Sequence, residues 1–417
     1  MKMLSNNFLN KWAAFWVFIF TVSVIAIPGH GGEAAIVLIL TALYQFITGH
    51  EDRFQYNLNN DEKKFFIVIL CFWLLNIFGA FFQPNGLEYE NLRISLRSID
   101  NPMRWLAMIP IFFLLRKHLI DWKIIAFGLS IGVLISVSIA FYQIYFLGIH
   151  RASGSMNDQI TFGEIMVVVD LILWVLMILA WTNNNYKISA LLLFSSLVAF
   201  YGSLLSVTRG AWLAYFILIF TFLFLALKRQ KFNKKNIFSR PILFRIVLTF
   251  AVLFSVVQTE QYKTIQVRTG DTIIDALDGN YNAASGGRIP IYKTAIKIAK
   301  NFPFGVGTDN FRMGGKVVIA MDAIQNPYVV VKNQNGEIIE TKILMDNLKS
   351  HQYFQSYNTD GSIRYTSRYR HAHNEWLNIL AENGILGFIL LTLIFGIPFK
   401  IFWKNIRDKN YLVSANS

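Results

Sequence analysis

The chain has 417 residues, of which 54% are hydrophobic, 15% aromatic and only 15% charged, and its mean hydropathy is +0.42. That composition excludes a string of soluble domains and points to a polytopic membrane protein. A net charge of +14 would suit a nucleic-acid binder, but the Lys and Arg gather in short loops between apolar runs, where orientation in a bilayer accounts for them better.

The N-terminal run "KWAAFWVFIFTVSVIAIPGHGG" has the basic flank and apolar core of a signal peptide, yet no A-x-A site follows, so it reads as a retained first span. Apolar runs able, or nearly able, to cross a hydrocarbon core of about 30 Å begin near Trp12, Glu33, Phe65, Met103, Ile124, Ile160, Ile188, Gly210, Pro241 and Gly384. These runs predict an all-α polytopic membrane protein of about ten transmembrane helices. The single cysteine, Cys71, lies inside the third run, so no intramolecular disulfide can form and it reads as a packing or lipid-facing thiol. The fourth run, "PMRWLAMIPIFFLLRKH", is short and holds Pro110; omitting it would invert everything downstream and export "KRQKFNKKNIFSR", against the positive-inside rule. With a cytoplasmic N-terminus the basic segments stay inside, and both termini are cytoplasmic.

The organisation that follows has three parts. Residues 1–257 form a bundle of nine spans, residues 258–372 one large extracytoplasmic loop domain, and residues 373–417 an outer helix, the last span and a cytoplasmic tail. In the loop, "DGNYNAASGGRIP" and "FPFGVGTDNFRMGG" are turn-rich, "IYKTAIKIAKNF" reads as an amphipathic helix, and "PYVVVKNQNGEIIETKIL" as a hairpin turning at "NQNG".

Three arginines fall on the outer face. Arg209, in "LLSVTRGAWLAYF", precedes Gly210, which leaves the backbone open to a ligand. Arg288, in "AASGGRIPIYKTAI", follows two glycines and precedes a proline suited to starting a helix, so a backbone nest beside its guanidinium would suit phosphate. Arg151, in "GIHRASGSMNDQITFGE", has similar small polar company. Singly, each is as readily a solvated or snorkelling side chain; three on one face argue for an anionic ligand, because Arg presents a planar, permanently charged fork. Asp271, Asp275 and Asp278 recur at helical spacing, which fits a solvated acidic face better than a metal site. Asp170 lies in mid-span and is expected to face the bundle interior, as a structural group or as part of a relay in a transporter.

In "HAHNEWLNILAENG", Asn374 is an N-cap candidate, Trp376, Leu377, Leu380 and Ala381 form an apolar stripe, and Gly384 is a natural C′ stop. His373 is then at the positive end of a helix, which favours the neutral imidazole able to accept a proton. A capping or headgroup-contacting histidine is the plainer reading, and His371 is open between a role and mere adjacency.

His373 and Asn374, nine further residues, then Gly384 and Gly387 fit the pattern H-[N/S/Q]-x9-G-x-x-G. With "TRGAW", "GGRIPIY" and "PFGVGTDNF" in order before it, the chain from about Arg151 onward resembles the O-antigen ligase and O-antigen polymerase superfamily. The resemblance implies a GT-C-like, inverting membrane glycosyltransferase with up to twelve spans in many members, a large periplasmic loop, no cofactor and no metal. It implies transfer of a glycan from undecaprenyl diphosphate to a hydroxyl of lipid A-core at the periplasmic face of the bacterial inner membrane. It also implies that Arg209 and Arg288 hold the donor diphosphate and that His373 is the catalytic base; Arg151 joins the diphosphate site on chemical grounds alone. The same motifs leave open an O-antigen polymerase or a protein O-oligosaccharyltransferase, and Asp170 leaves open a polysaccharide-lipid transporter.

Overall fold

The computed structural model describes residues 6–27, 31–48, 58–81, 100–118, 120–228, 240–279, 281–325, 328–332, 338–343, 354–357, 363–365 and 371–407. Its long helices are α1 (Asn6–Ala26), α2 (Gly31–Ile47), α3 (Asn60–Phe81), α4 (Asp100–Lys117), α5 (Trp122–Tyr145), α6 (Gln159–Thr182), α7 (Tyr186–Leu205), α8 (Arg209–Lys228) and α9 (Arg240–Val257). Then come α10 (Glu260–Leu277), α11 (Tyr281–Ala284), α12 (Arg288–Asn301), α13 (Phe311–Gln325) and, last, α14 (Glu375–Arg407). Between α13 and α14 lie two antiparallel ribbons, β1 (Tyr328–Lys332) with β2 (Ile338–Ile343) and β3 (Phe354–Tyr357) with β4 (Ile363–Tyr365). The expected hairpin strands are thus present, while the "NQNG" turn and most of "KRQKFNKKNIFSR" lie outside the described residues.

Each apolar run of the sequence forms a helix. Among the described residues six helices are long and apolar enough to cross a bilayer, or seven if the pair Leu243–Val257 and Tyr262–Leu277, bent by 95°, makes one broken span. Gly31–Ile47 and Arg209–Thr221 are shorter apolar helices. The protein is therefore a helical, multi-pass membrane protein.

The chain forms two compact units, Met1–Gln55 with Ile109–Ile273, and Tyr56–Met108 with Ile274–Ser417. In the first, α1 lies against α5 because α5 carries glycine at the contact. A Cβ on Gly128 would sit 1.9 Å from Thr21 Oγ1 and one on Gly132 2.9 Å from Ile25 Cβ, the small-xxx-small spacing that lets membrane helices approach closely. The core continues through Phe162, Met166, Leu173 and Met177 of α6 and Leu192 and Ala199 of α7, all fully buried. Phe194, Phe216 and Phe250 point outward at 55, 59 and 67% exposure, an apolar exterior that suits lipid rather than water.

Asp170 of α6 is fully buried, as its place in an apolar run predicts. Its partner is Arg245 of α9, whose Nη2 donates to both carboxylate oxygens at 2.8 and 3.0 Å. Ser196 also donates to the carboxylate, and the guanidinium stacks 5.8 Å from the Trp174 ring and 5.7 Å from that of Phe200. The pair sets the two charges against each other away from water, the condition for keeping either inside a membrane, although Arg245 Nε is buried without a hydrogen-bond partner.

The second unit is built on α3, α12, α13 and α14. Ile291, Ala295 and Ile298 of α12 form one core with Val306, Phe311, Val318, Ala372 and Ala381. Lys400 near the end of α14 pairs with Asp61 near the start of α3 at 2.8 Å. α14 is broken at Gly384, which has φ 66° and ψ −163°. The sequence suggests a left-handed C′ cap there; the observed extended ψ belongs to a region that is essentially glycine's alone. The break exists because the loop 303–310 plugs it. Val306 N–H donates to Ala381 O at 3.1 Å, Gly307 N–H to Glu382 O at 2.9 Å, and Ile385 N–H to Pro303 O at 3.0 Å, so the backbone groups orphaned on both sides of the break are satisfied. Thr308 fixes the same loop to α3, with Oγ1 donating to Asn76 O at 2.8 Å and N–H to Gly79 O at 3.1 Å.

Candidate functional site

In the second unit, α12 and the first half of α14 run side by side and in the same direction. Their shared core and the loop 303–310 join α12's C-terminal end to Ala381 and Glu382, while the charge of Arg288, at α12's start, reaches His373 just before α14. Two helix N-termini, an arginine and a histidine are thereby gathered at one end of this unit. α12 begins at Arg288 itself, two residues ahead of the proline expected to start it, after Gly286 and Gly287 at φ 66° and 77°.

Asn374 caps α14 as expected, its Oδ1 accepting the Leu377 N–H at 3.1 Å. His373 stands one residue earlier in left-handed backbone, φ 51°, unusual for a residue with a Cβ. Its N–H donates to Nδ1 of His371 at 3.1 Å, and the two rings lie edge to face, 4.1 Å between centroids. His373 is exposed on its outer side. Burial of its inner side lowers its pKa first, and the charges of His371 and Arg288 add to the effect, so the imidazole is held below 6.5 and is neutral at pH 7. The direction matches that expected from the helix end, though desolvation and neighbouring charge cause it. Gly387 faces Asn383 and Ile379 so closely that a Cβ would come 2.4 Å from Asn383 Cβ.

Arg151 and Arg209 belong to the first unit, and there the structure brings their backbones together. Arg151 Nε donates to Ser206 O at 3.2 Å, and Ala152 N–H to Leu205 O at 3.0 Å, three and four residues before Arg209. The loop carrying Arg151 is strapped down by Gln143, whose Oε1 accepts both the Ser153 and Gly154 N–H at 2.9 Å. Val207, buried at φ 50°, turns α7 sharply into α8, and Arg209 opens α8 half-exposed. A Cβ on Gly210 would meet nothing within 4 Å, so the backbone beside Arg209 faces open space. Asp158 is pushed up by burial, but hydrogen bonds from Thr161 and Ile160 and the charge of Arg151 outweigh this and hold it below the usual carboxylate range. The same unit has an open cleft of about 570 Å³ whose apolar floor includes Trp174, Phe200 and Trp212 and whose exposed rim includes Phe216 and Phe250.

Asp271 and Asp278 are exposed, and among the described residues no three His, Cys, Asp or Glu side chains are grouped to hold a metal ion. Sequence reasoning missed Arg245 as the partner of Asp170. The signal was a second lone charge in an apolar run, although no spacing rule links positions so far apart.

Residues 191–392 match the family described as O-Antigen ligase. That segment belongs to the O-antigen ligase and polymerase superfamily. It contains Arg209, Arg288, His373, Asn374, Gly384 and Gly387, whereas Arg151 and Asp170 precede it. Over 98% of its length the chain is also 23% identical to an uncharacterized protein of Haemophilus influenzae, covering 89% of that protein. The matched segment, just under half of the chain, is thus similar to a family of membrane glycosyltransferase-like enzymes of the O-antigen ligase and polymerase type.

Proposed function

We propose that the protein is an O-antigen ligase of the bacterial inner membrane, its active site facing the periplasm. The observation that carries this reading is His373 at the cap of α14, held toward its neutral form by burial and by the charges of His371 and Arg288, within the segment that matches the O-antigen ligase family. In the proposed reaction the acceptor hydroxyl of lipid A-core attacks the anomeric carbon of the donor glycan from the face opposite the diphosphate. Its proton passes to His373, the new glycosidic bond forms, and the old carbon–oxygen bond breaks with its electron pair leaving on undecaprenyl diphosphate. The configuration inverts. Arg288 and Arg209, with Arg151, neutralise the diphosphate's charge, the work that a metal does in other glycosyltransferases. A diphosphate is already a competent leaving group, so one base and fixed positive charge are sufficient. The apolar cleft in the first unit suits the hydrocarbon chain of a lipid-linked substrate.

Purified protein in detergent should transfer undecaprenyl-diphosphate-linked polysaccharide to lipid A-core with no ion gradient. His373→Ala and Arg288→Ala should abolish transfer while remaining inserted and folded. Full transfer by either variant removes these roles, and strict dependence on a gradient would instead support a polysaccharide-lipid transporter. The nearest second reading is an O-antigen polymerase, which the same motifs fit and which would join repeat units on the lipid carrier.

A further inference from the structure

His371 has no part in the proposed chemistry, yet it holds the residue that does. It stands exposed two residues before His373, and its Nδ1 accepts the His373 backbone N–H at 3.1 Å. A backbone amide nitrogen can only donate, so Nδ1 must keep its lone pair, and the proton of the neutral ring sits on Nε2. The bond closes the same turn that an Asn or Asp side chain closes when it accepts the N–H two residues on, with Nδ1 in the place of Oδ1. It acts on a strained residue. His373 has φ 51°, a region that costs a residue with a Cβ and persists only where neighbouring contacts over-determine it.

The chain is fixed on either side of His373. Before it, Ala372 is buried in the core shared with α12, and its N–H donates to Asn378 Oδ1 at 3.0 Å. After it, Asn374 caps α14 through the Leu377 N–H at 3.1 Å. His373 is the exposed link between these points, and His371 holds its N–H. Water could satisfy that N–H but would not fix its direction, which takes a side chain anchored two residues back. We propose that His371 is a positioning residue whose Nδ1 holds the His373 backbone in the left-handed conformation from which the imidazole meets the acceptor hydroxyl. This rests on the reading of His373 as the base, whereas the turn rests on the hydrogen bond alone.

Two substitutions separate the hydrogen bond from the ring. His371→Asn keeps an acceptor at the same place along the side chain but loses the edge-to-face contact of the two imidazoles, whose centroids lie 4.1 Å apart. His371→Phe keeps a ring and loses the acceptor. Neither replacement titrates, so both remove the charge of the imidazole equally. His371→Phe should lower kcat for transfer of undecaprenyl-diphosphate-linked polysaccharide to lipid A-core by about ten- to a hundredfold, the cost of an ångström-scale misplacement. KM for the donor should change little, and His371→Asn should retain most of kcat. A second readout does not depend on catalysis: hydrogen exchange at the His373 amide, resolved by mass spectrometry with residue-level fragmentation, should be as slow in His371→Asn as in wild type and about tenfold faster in His371→Phe. Wild-type turnover and exchange in His371→Phe would overturn the inference. So would equal loss of turnover in both variants, which would give His371 chemistry of its own, or loss in His371→Asn alone, which would assign the effect to the ring contact. Should His373→Ala keep full turnover, the base reading fails, and amide exchange in the two variants still decides whether His371 holds this backbone. If His371→Phe does not accumulate, His371→Ala takes its place with the same expected outcome.

Discussion

At the scale of single residues, two positions make the account testable. His373 must be neutral to accept a proton, and its surroundings favour that form. Turnover should therefore hold through neutrality and fall only below pH 6.5, as protonation removes the base. A turnover–pH profile with its acid limb at or above that value would contradict the assignment. Gly384 is constrained differently. A Cβ there would lie 2.3 Å from Pro303 O and 2.5 Å from the Phe304 carbonyl carbon, on backbone that costs a non-glycine residue about 1–3 kcal/mol before any clash. Gly384→Ala should lower the thermal midpoint in detergent and dislodge the 303–310 loop; an unchanged midpoint would show that the break relaxes freely. The glycines and the histidine were legible as a spaced motif. What each does was not, because the motif says nothing of the loop that fills the break from some eighty residues upstream.

At the scale of elements, the helices were readable because apolar runs of this length have few alternatives in a membrane, where every backbone group must be satisfied internally. The pairing of those helices was less so. Asp170 could be placed in the interior, since an isolated carboxylate in an apolar run has nowhere else to go, but Arg245 is seventy-five residues away and was read only as part of another span. Either Asp170→Ala or Arg245→Ala leaves a buried charge without its partner and should destabilise the first unit by about 3–5 kcal/mol. Replacing both together with Leu and Met should recover most of that. Thermal melting of the purified variants measures this, and single variants as stable as the wild type would mean that the pair contributes nothing to the bundle. The glycine spacing of α5 tells a similar story: Gly128 and Gly132 are visible in sequence, but the facing helix, α1, is known only once Thr21 and Ile25 are seen against them.

At the scale of the whole molecule, composition and periodicity identify a helical membrane protein, and the motifs lie in a segment, residues 191–392, that matches the O-antigen ligase family. The structure adds two compact units, one carrying Arg151 and Arg209 and the other Arg288 and His373. The proposed function makes a cellular claim, that this chain joins finished polysaccharide to lipid A-core rather than lengthening it. The most direct measurement is the lipopolysaccharide and lipid-linked polysaccharide profile of a deletion strain complemented with wild type or His373→Ala. The account predicts long, unligated polymer on undecaprenyl diphosphate in the deletion and in the His373→Ala strain, with capped lipid A-core restored by wild type alone. Lipid A-core bearing a single repeat in the deletion, or full capping by His373→Ala, would contradict it.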